Sequence, residues 1–196
     1  MMVRRTELEG VLLFEPTPHR DTRGFFSRTF DAAVAESVGL QPATFRQDSQ
    51  SRSHRGVVRG LHGRQGSGEG KLVRCSFGAV HDIVVDARPQ SPTFGRWIAL
   101  RLDDQDMVHV YIPHGFLHGF QALSDVADVC YRIDQEHDPA ADVGVRYDDA
   151  ELDIPWPVDV RDVSERDRQA GSWSDLRELL SCPGNMTDHV ERTRVR

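Results

Sequence analysis

Two short segments concentrate side chains able to do proton or ligand chemistry: Arg59-Gly60-Leu61-His62 and Pro113-His114-Gly115-Phe116-Leu117-His118-Gly119-Phe120. Histidine ordinarily titrates nearest neutrality, so it serves either as a general base or as a metal ligand. Glu69 is the carboxylate that could join His62 and His118 in a facial metal triad. The sequence writes no fuller shell, because Gly63 and Arg64 follow His62 and break any HxH pair, and no metal is assigned. His19, His54, His81, His109, His114 and His189 are read as histidines on strand faces, satisfied by hydrogen bonds. The run from Gly66 to Lys71 imitates a phosphate loop. Its glycine spacing is too short, Leu72 stands where a magnesium-binding Ser or Thr belongs, and a strand rather than a helix follows. A flexible hairpin loop is expected there.

The elements that must position these groups read as short strands between Gly and Pro signals: Gly10–Glu15, Phe25–Phe30, Thr44–Ser49, Gly56–Leu61, Lys71–Phe77, Val80–Asp86, Gly95–Leu102, His109–Ile112, Gly119–Leu123 and Ala127–Ile133. Helical patterns are confined to Ala32–Val38, the neighbourhood of Ser164–Gln169, and Ser174–Leu180, the last capped by Ser172 or Ser174. With no strand–helix alternation, the pattern predicts an all-β sandwich or barrel. One domain over residues 1–182 is expected, with residues 183–196 as a flexible polar tail.

Composition narrows the function classes. The chain has 196 residues and a net charge of −7, which disfavours bulk nucleic-acid binding. No apolar run approaches the roughly 20 residues that span a bilayer, and the start lacks a signal peptide's apolar stretch. Three dispersed cysteines form no CxxC pair, which fits a reducing cytoplasm.

The motif P-x-G-x-x-H at Pro113–His118 resembles the second signature of the cupin superfamily. A wider set of segments resembles the dTDP-4-dehydrorhamnose 3,5-epimerase family. It comprises Asp21-Thr22-Arg23-Gly24-Phe25-Phe26, Gln47-Asp48-Ser49-Gln50-Ser51, Arg55 to His62, Gly70-Lys71-Leu72-Val73, Asp86 to Gly95, Tyr111 to Phe120, Tyr131, Ile154-Pro155-Trp156-Pro157 and Ser164-Glu165-Arg166-Asp167. The match keeps one register from about residue 8 to about residue 170. It implies an all-β cupin (jelly-roll) barrel of two antiparallel sheets with short peripheral helices. The implied activity is inversion of carbons beside the 4-keto group of a nucleotide-linked 6-deoxyhexose, without a cofactor, in a homodimer that exchanges its N-terminal strand.

Such chemistry needs a base for a proton beside a carbonyl, a donor for the enolate oxygen, and an acid on the opposite face of the sugar. The resemblance assigns these roles to His62 partnered by Asp167, to Lys71 and to Tyr131. It gives phosphate contacts to Arg23 and Arg59, base contacts to Gln47 and Phe26, and a sugar or phosphate contact to His118. Departures fall at further substrate-contacting positions: Arg28 for glutamate, Ser49 for asparagine, His137 for a stacking tyrosine, Asp142 for glutamate and Arg166 for lysine. They leave the proton-handling groups in place and put the nucleotide and sugar scope in question. Two alternatives stand beside a C3 and C5 epimerase: a single-centre epimerase, and a metal-binding or non-catalytic cupin.

Overall fold

The computed structural model describes residues 1–66 and 68–181. Two antiparallel sheets face each other. The first runs in the order β1 (Met2–Arg5), β2 (Leu12–Glu15), β10 (His109–Ile112), β7 (Lys71–Phe77), β12 (Val126–Ile133), β5 (Gln47–His54). The second runs β13 (Asp142–Gly144), β6 (Val57–Arg64), β11 (Phe116–Ala122), β8 (Ala79–Asp86), β9 (Trp97–Asp103), with β14 (Asp162–Val163) parallel along β6. A hairpin of β3 (His19–Asp21) and β4 (Gly24–Phe26) stands apart, and the helices are α1 (Ala32–Ser37), α2 (Glu165–Arg168) and α3 (Trp173–Ser181).

The period-2 alternation of these strands sorts their residues into two cores. Val73, Cys75, Val110, Ala127 and Val129 of the first sheet meet Val80, Val84, Phe116 and Phe120 of the second between the sheets. On the outer face of the second sheet, Leu61, Ile83, Val85 and Leu117 pack under Leu152, Ile154, Trp173 and Leu176. That covering segment brings α2 back over β6. His62 and His118 share the inner parity and are cross-strand partners between β6 and β11, so both rings enter the space between the sheets.

Several boundaries differ from the sequence expectation. β4 stops at Phe26, and Thr44 lies in a 3₁₀ turn, so β5 begins at Gln47 and continues to His54. β6 reaches Arg64 and β11 begins at Phe116, because cross-strand pairing carries both past their glycines. The basic start forms β1, paired along β2. Ser172 caps α3: it exchanges hydrogen bonds with Asp175 through a backbone N–H at each end. The expected hairpin loop is tied down at Glu69, whose carboxylate binds both Lys71 and Arg64. His109 departs from its reading as a satisfied histidine, since its Nε2 is buried and finds no hydrogen-bond partner among the described residues. The expected tail, residues 183–196, and His189 lie outside the described residues. No helix among the described residues is long and apolar enough to cross a membrane.

Candidate functional site

A cavity of about 490 Å³ opens between the sheets where apolar inner-face residues give way to polar ones. Its walls carry His62, His118 and Arg59 from the second sheet, and Lys71, Tyr131 and Ser49 from the first; Asp167 and Arg166 close it from α2.

His62 Nε2 lies 2.6 Å from Asp167 Oδ1. Ser164 caps α2 by accepting the Asp167 N–H, which fixes the orientation of the carboxylate. The second oxygen, Oδ2, accepts the Gly60 N–H at 3.1 Å, so the carboxylate spans β6 two residues before the histidine. Burial by itself raises the Asp167 carboxyl pKa, but the His62 and Gly60 hydrogen bonds outweigh it and hold the group below the usual carboxylate range. Asp167 is 4% exposed, while the His62 side chain keeps 39% of its surface open to the cavity. An anchored carboxylate of this kind sets the imidazole tautomer and stabilises the imidazolium. Gly60 itself is required by the close packing of β6 on β11. Its φ is +121°, and a Cβ there would lie 2.6 Å from the Gly119 Cα across the strand pair.

The facing wall supplies a cation and a phenol. Lys71 is 7% exposed, and its Nζ lies 2.6 Å from Glu69 Oε1. Glu69 Oε2 in turn meets Arg64 Nη2 at 3.0 Å. Arg64 continues to Asp142 at 3.5 Å, and Asp142 to Arg166 at 2.9 Å, so a chain of alternating charges runs from the cavity wall to its rim. Glu69 is thereby committed to two cations, and the triad His62–Glu69–His118 is not assembled. Among the described residues no three His, Cys, Asp or Glu side chains converge as a metal shell. Tyr131 Oη lies 3.3 Å from Ser51 Oγ, and burial raises the phenol's pKa above its ordinary value, keeping its proton in place at neutral pH.

His118 forms a second histidine–carboxylate pair, with Nε2 2.8 Å from Asp82 Oδ2, and both side chains are buried. Its ring meets Tyr131 edge-on at a centroid distance of 6.2 Å.

The remaining sequence-selected residues divide by location. Arg59, Ser49 and Arg166 line the cavity, and Asp142 holds Arg166 at its rim. Arg59 donates to Ser53 Oγ and to the Arg52 carbonyl. His137 sits beyond the rim with its Nδ1 3.4 Å from Arg64 Nη2, and Gln47 opens β5 outside the cavity lining. Arg23 and Phe26 occupy the exposed β3–β4 hairpin, where Arg23 pairs with Asp21 and Phe26 is 70% exposed. Arg28 pairs with Asp31 beside that hairpin. A single chain therefore does not bring Arg23, Phe26 or Arg28 to the cavity.

Sequence reasoning missed Asp82, Arg64 and Ser51 as site residues, and it considered Glu69 only as a metal ligand rather than as the partner of Lys71 and Arg64. Asp82 had a visible signal: an acidic residue at inner-face parity in the apolar strand Val80–Asp86 demands a partner. Glu69 and Arg64 had none, because their pairing depends on a loop conformation that no periodicity encodes.

Comparison with known proteins agrees with this arrangement. A profile of the family described as dTDP-4-dehydrorhamnose 3,5-epimerase matches residues 5–175. A dTDP-4-dehydrorhamnose 3,5-epimerase of Methanothermobacter thermautotrophicus is 41% identical over 177 residues, covering 89% of this chain and 94% of that protein. A dTDP-4-dehydrorhamnose 3-epimerase of Streptomyces niveus is 41% identical over 185 residues, covering 93% of this chain and 89% of its own length. The crystal structure of a dTDP-6-deoxy-D-glucose-3,5-epimerase from Legionella pneumophila, in complex with dTDP-4-keto-L-rhamnose, superposes with a TM-score of 0.85 at 35% identity, covering 91% and 96% of the two chains. The sequence match, the two facing sheets and the cavity between them place this chain in the dTDP-4-dehydrorhamnose 3,5-epimerase family.

Proposed function

We propose that the protein inverts C3 and C5 of a dTDP-linked 4-keto-6-deoxyhexose. The observation that carries this reading is the His62–Asp167 pair on one wall of the cavity, facing Lys71 and Tyr131 on the other. His62 takes the proton from the carbon beside the ketone, and Asp167 stabilises the imidazolium that forms. The electron pair left on carbon moves to the carbonyl oxygen as an enolate, and Lys71 stabilises that charge. The enolate pair returns to carbon as Tyr131 delivers a proton from the opposite face, which inverts the centre and re-forms the carbonyl; His62 then gives its proton to solvent and the Tyr131 oxygen takes one from it, which resets both groups. Keeping base and acid on different sheets supports inversion rather than simple exchange.

Arg59 and Arg166 supply cations for the diphosphate despite the chain's acidic total. His118, held by Asp82, orients the sugar, Ser49 completes that subsite, and Asp142 acts on the substrate through Arg166, which it holds at the rim. Arg23, Phe26 and Arg28 act from the hairpin on a partner's nucleotide, in a homodimer with exchanged N-terminal strands, while Gln47 and His137 contact the base. The exposed Phe25 and Phe26 support a covered hairpin. Residues 1–182 act as one domain in a reducing cytoplasm, with no cofactor.

A C3-only epimerase is the second reading, favoured by the Streptomyces niveus relative, which matches this chain at the same identity as the 3,5-epimerase. The test is proton NMR of the product formed from dTDP-4-keto-6-deoxyglucose. Inversion at C3 and C5 is expected. Inversion at C3 alone selects the second reading, and no product from that sugar or from its UDP- and GDP-linked counterparts overturns both.

A further inference from the structure

The ammonium placed to receive the enolate is not free. Lys71 Nζ lies 2.6 Å from Glu69 Oε1, and the two side chains are 8% and 10% exposed. A lysine neutralised at such range by a poorly solvated carboxylate offers little net positive charge to an oxygen bearing a developing negative one. The structure supplies a remedy. Arg64, 7% exposed, places Nη2 3.0 Å from the other oxygen of the same carboxylate and draws Glu69's charge away from the lysine. The arginine is itself held in place: Nη1 donates to the Glu136 carbonyl at 2.8 Å, and the guanidinium lies beside His137 Nδ1 and Asp142. Lys71, Arg64 and Arg166 against Glu69 and Asp142 leave the chain one positive charge, with Lys71 at its buried end and the more exposed Arg166 at the cavity rim.

We infer that Arg64 is a positioning residue that sets the electrophilic strength of Lys71 through Glu69. Glu69 fixes where the ammonium points, and Arg64 cancels the charge that would otherwise quench it. The inference rests on the reading of Lys71 as the enolate-stabilising group. It predicts that the two substitutions are coupled, because removing one partner of a buried ion pair leaves the other charge uncompensated.

The experiment measures kcat and KM on dTDP-4-keto-6-deoxyglucose for R64Q, R64K, E69Q, the double variant R64Q/E69Q, and K71M, each checked for folding by thermal melt. R64Q is expected to lose roughly 10- to 100-fold in kcat with KM changed less than about threefold, the signature of an interaction made in the transition state. R64K retains most of the lost rate. The double variant, in which no carboxylate quenches Lys71, recovers kcat to within about fivefold of wild type, which a merely structural role for Arg64 would not produce. If R64Q does not fold, the double variant still decides: near-wild-type turnover supports the coupling and a loss as large as that of K71M overturns it. A folded R64Q with unchanged kcat also overturns it. K71M separates the two claims. Its retention of full turnover removes the enolate role and this inference with it, whereas a silent R64Q beside an inactive K71M removes this inference alone.

Discussion

Nε2 of His62 and Oδ1 of Asp167 lie 2.6 Å apart although 105 residues separate them in the chain. The contact needs two independent devices. β6 must present His62 on the inner face of the second sheet, and the C-terminal segment must return across that sheet so that Ser164 caps α2 at the right point. The same carboxylate also accepts the Gly60 N–H, so Asp167 ties the base to its own strand.

Replacing Asp167 by Asn keeps the size and removes the charge. The imidazolium loses its counter-ion and the tautomer is no longer fixed, so kcat should fall by about 10²–10⁴-fold. Stability responds with a definite sign. A carboxyl held below its ordinary value stabilises the fold above the unfolded-state pKa and loses that contribution as pH falls through the folded-state one. Urea unfolding at pH 7 should therefore separate wild type from Asp167→Asn, and the gap should shrink as the medium is made acid.

Tyr131→Phe should separate proton removal from inversion. With His62 intact, hydrogen at the reacting carbon still leaves and returns on the face it came from, so deuterium enters the substrate while new stereoisomer accumulates about 10²–10⁴-fold more slowly. Proton NMR in D₂O follows both at once. Equal loss of exchange and inversion would instead tie Tyr131 to the first step.

Gly60→Ala forces a side chain into a φ of +121° and against Gly119 and the His118 carbonyl, 2.6 and 2.8 Å from its Cβ. The positive φ and the crowding together should cost at least about 2 kcal/mol and displace the Asp167 anchor. Chemical denaturation measures the first effect and kcat the second.

His109 provides an acid-sensitive feature away from the cavity lining. Burial, with Arg74 and Arg132 nearby, lowers its pKa to about 3 from the ordinary 6.5. Between those values the unfolded chain binds the proton and the folded chain does not, so stability declines as pH falls through that window, by at most about 1.4 kcal/mol per pH unit. A His109→Leu variant should lose this slope, read from urea midpoints between pH 7 and pH 4.

The strands at Lys71–Phe77, Val80–Asp86 and Ala127–Ile133 were legible from their apolar and β-branched residues, although β8 buries both of its faces, and two of the three helices among the described residues carry Ser caps. His62, Lys71, Tyr131 and Asp167 were legible as a motif set, and the structure brings all four to one cavity. Less legible was what holds them. Glu69 lies between glycines in a segment that reads as a loose turn, and only the folded chain shows it buried between two cations. Asp82 was overlooked because its strand reads as a core element, although an acid on an inner face needs a partner, and His118 is that partner. The ends of β5 and β11 slipped because pairing with neighbours, rather than local propensity, determines them.

The most direct test of the account is deuterium incorporation into dTDP-4-keto-6-deoxyglucose in D₂O, followed by proton NMR for wild type and His62→Ala side by side. The account predicts deuterium at C3 and C5 with wild type and none above background with folded His62→Ala. Undiminished exchange in His62→Ala would show that another group removes the proton and would contradict the assignment of the His62–Asp167 pair.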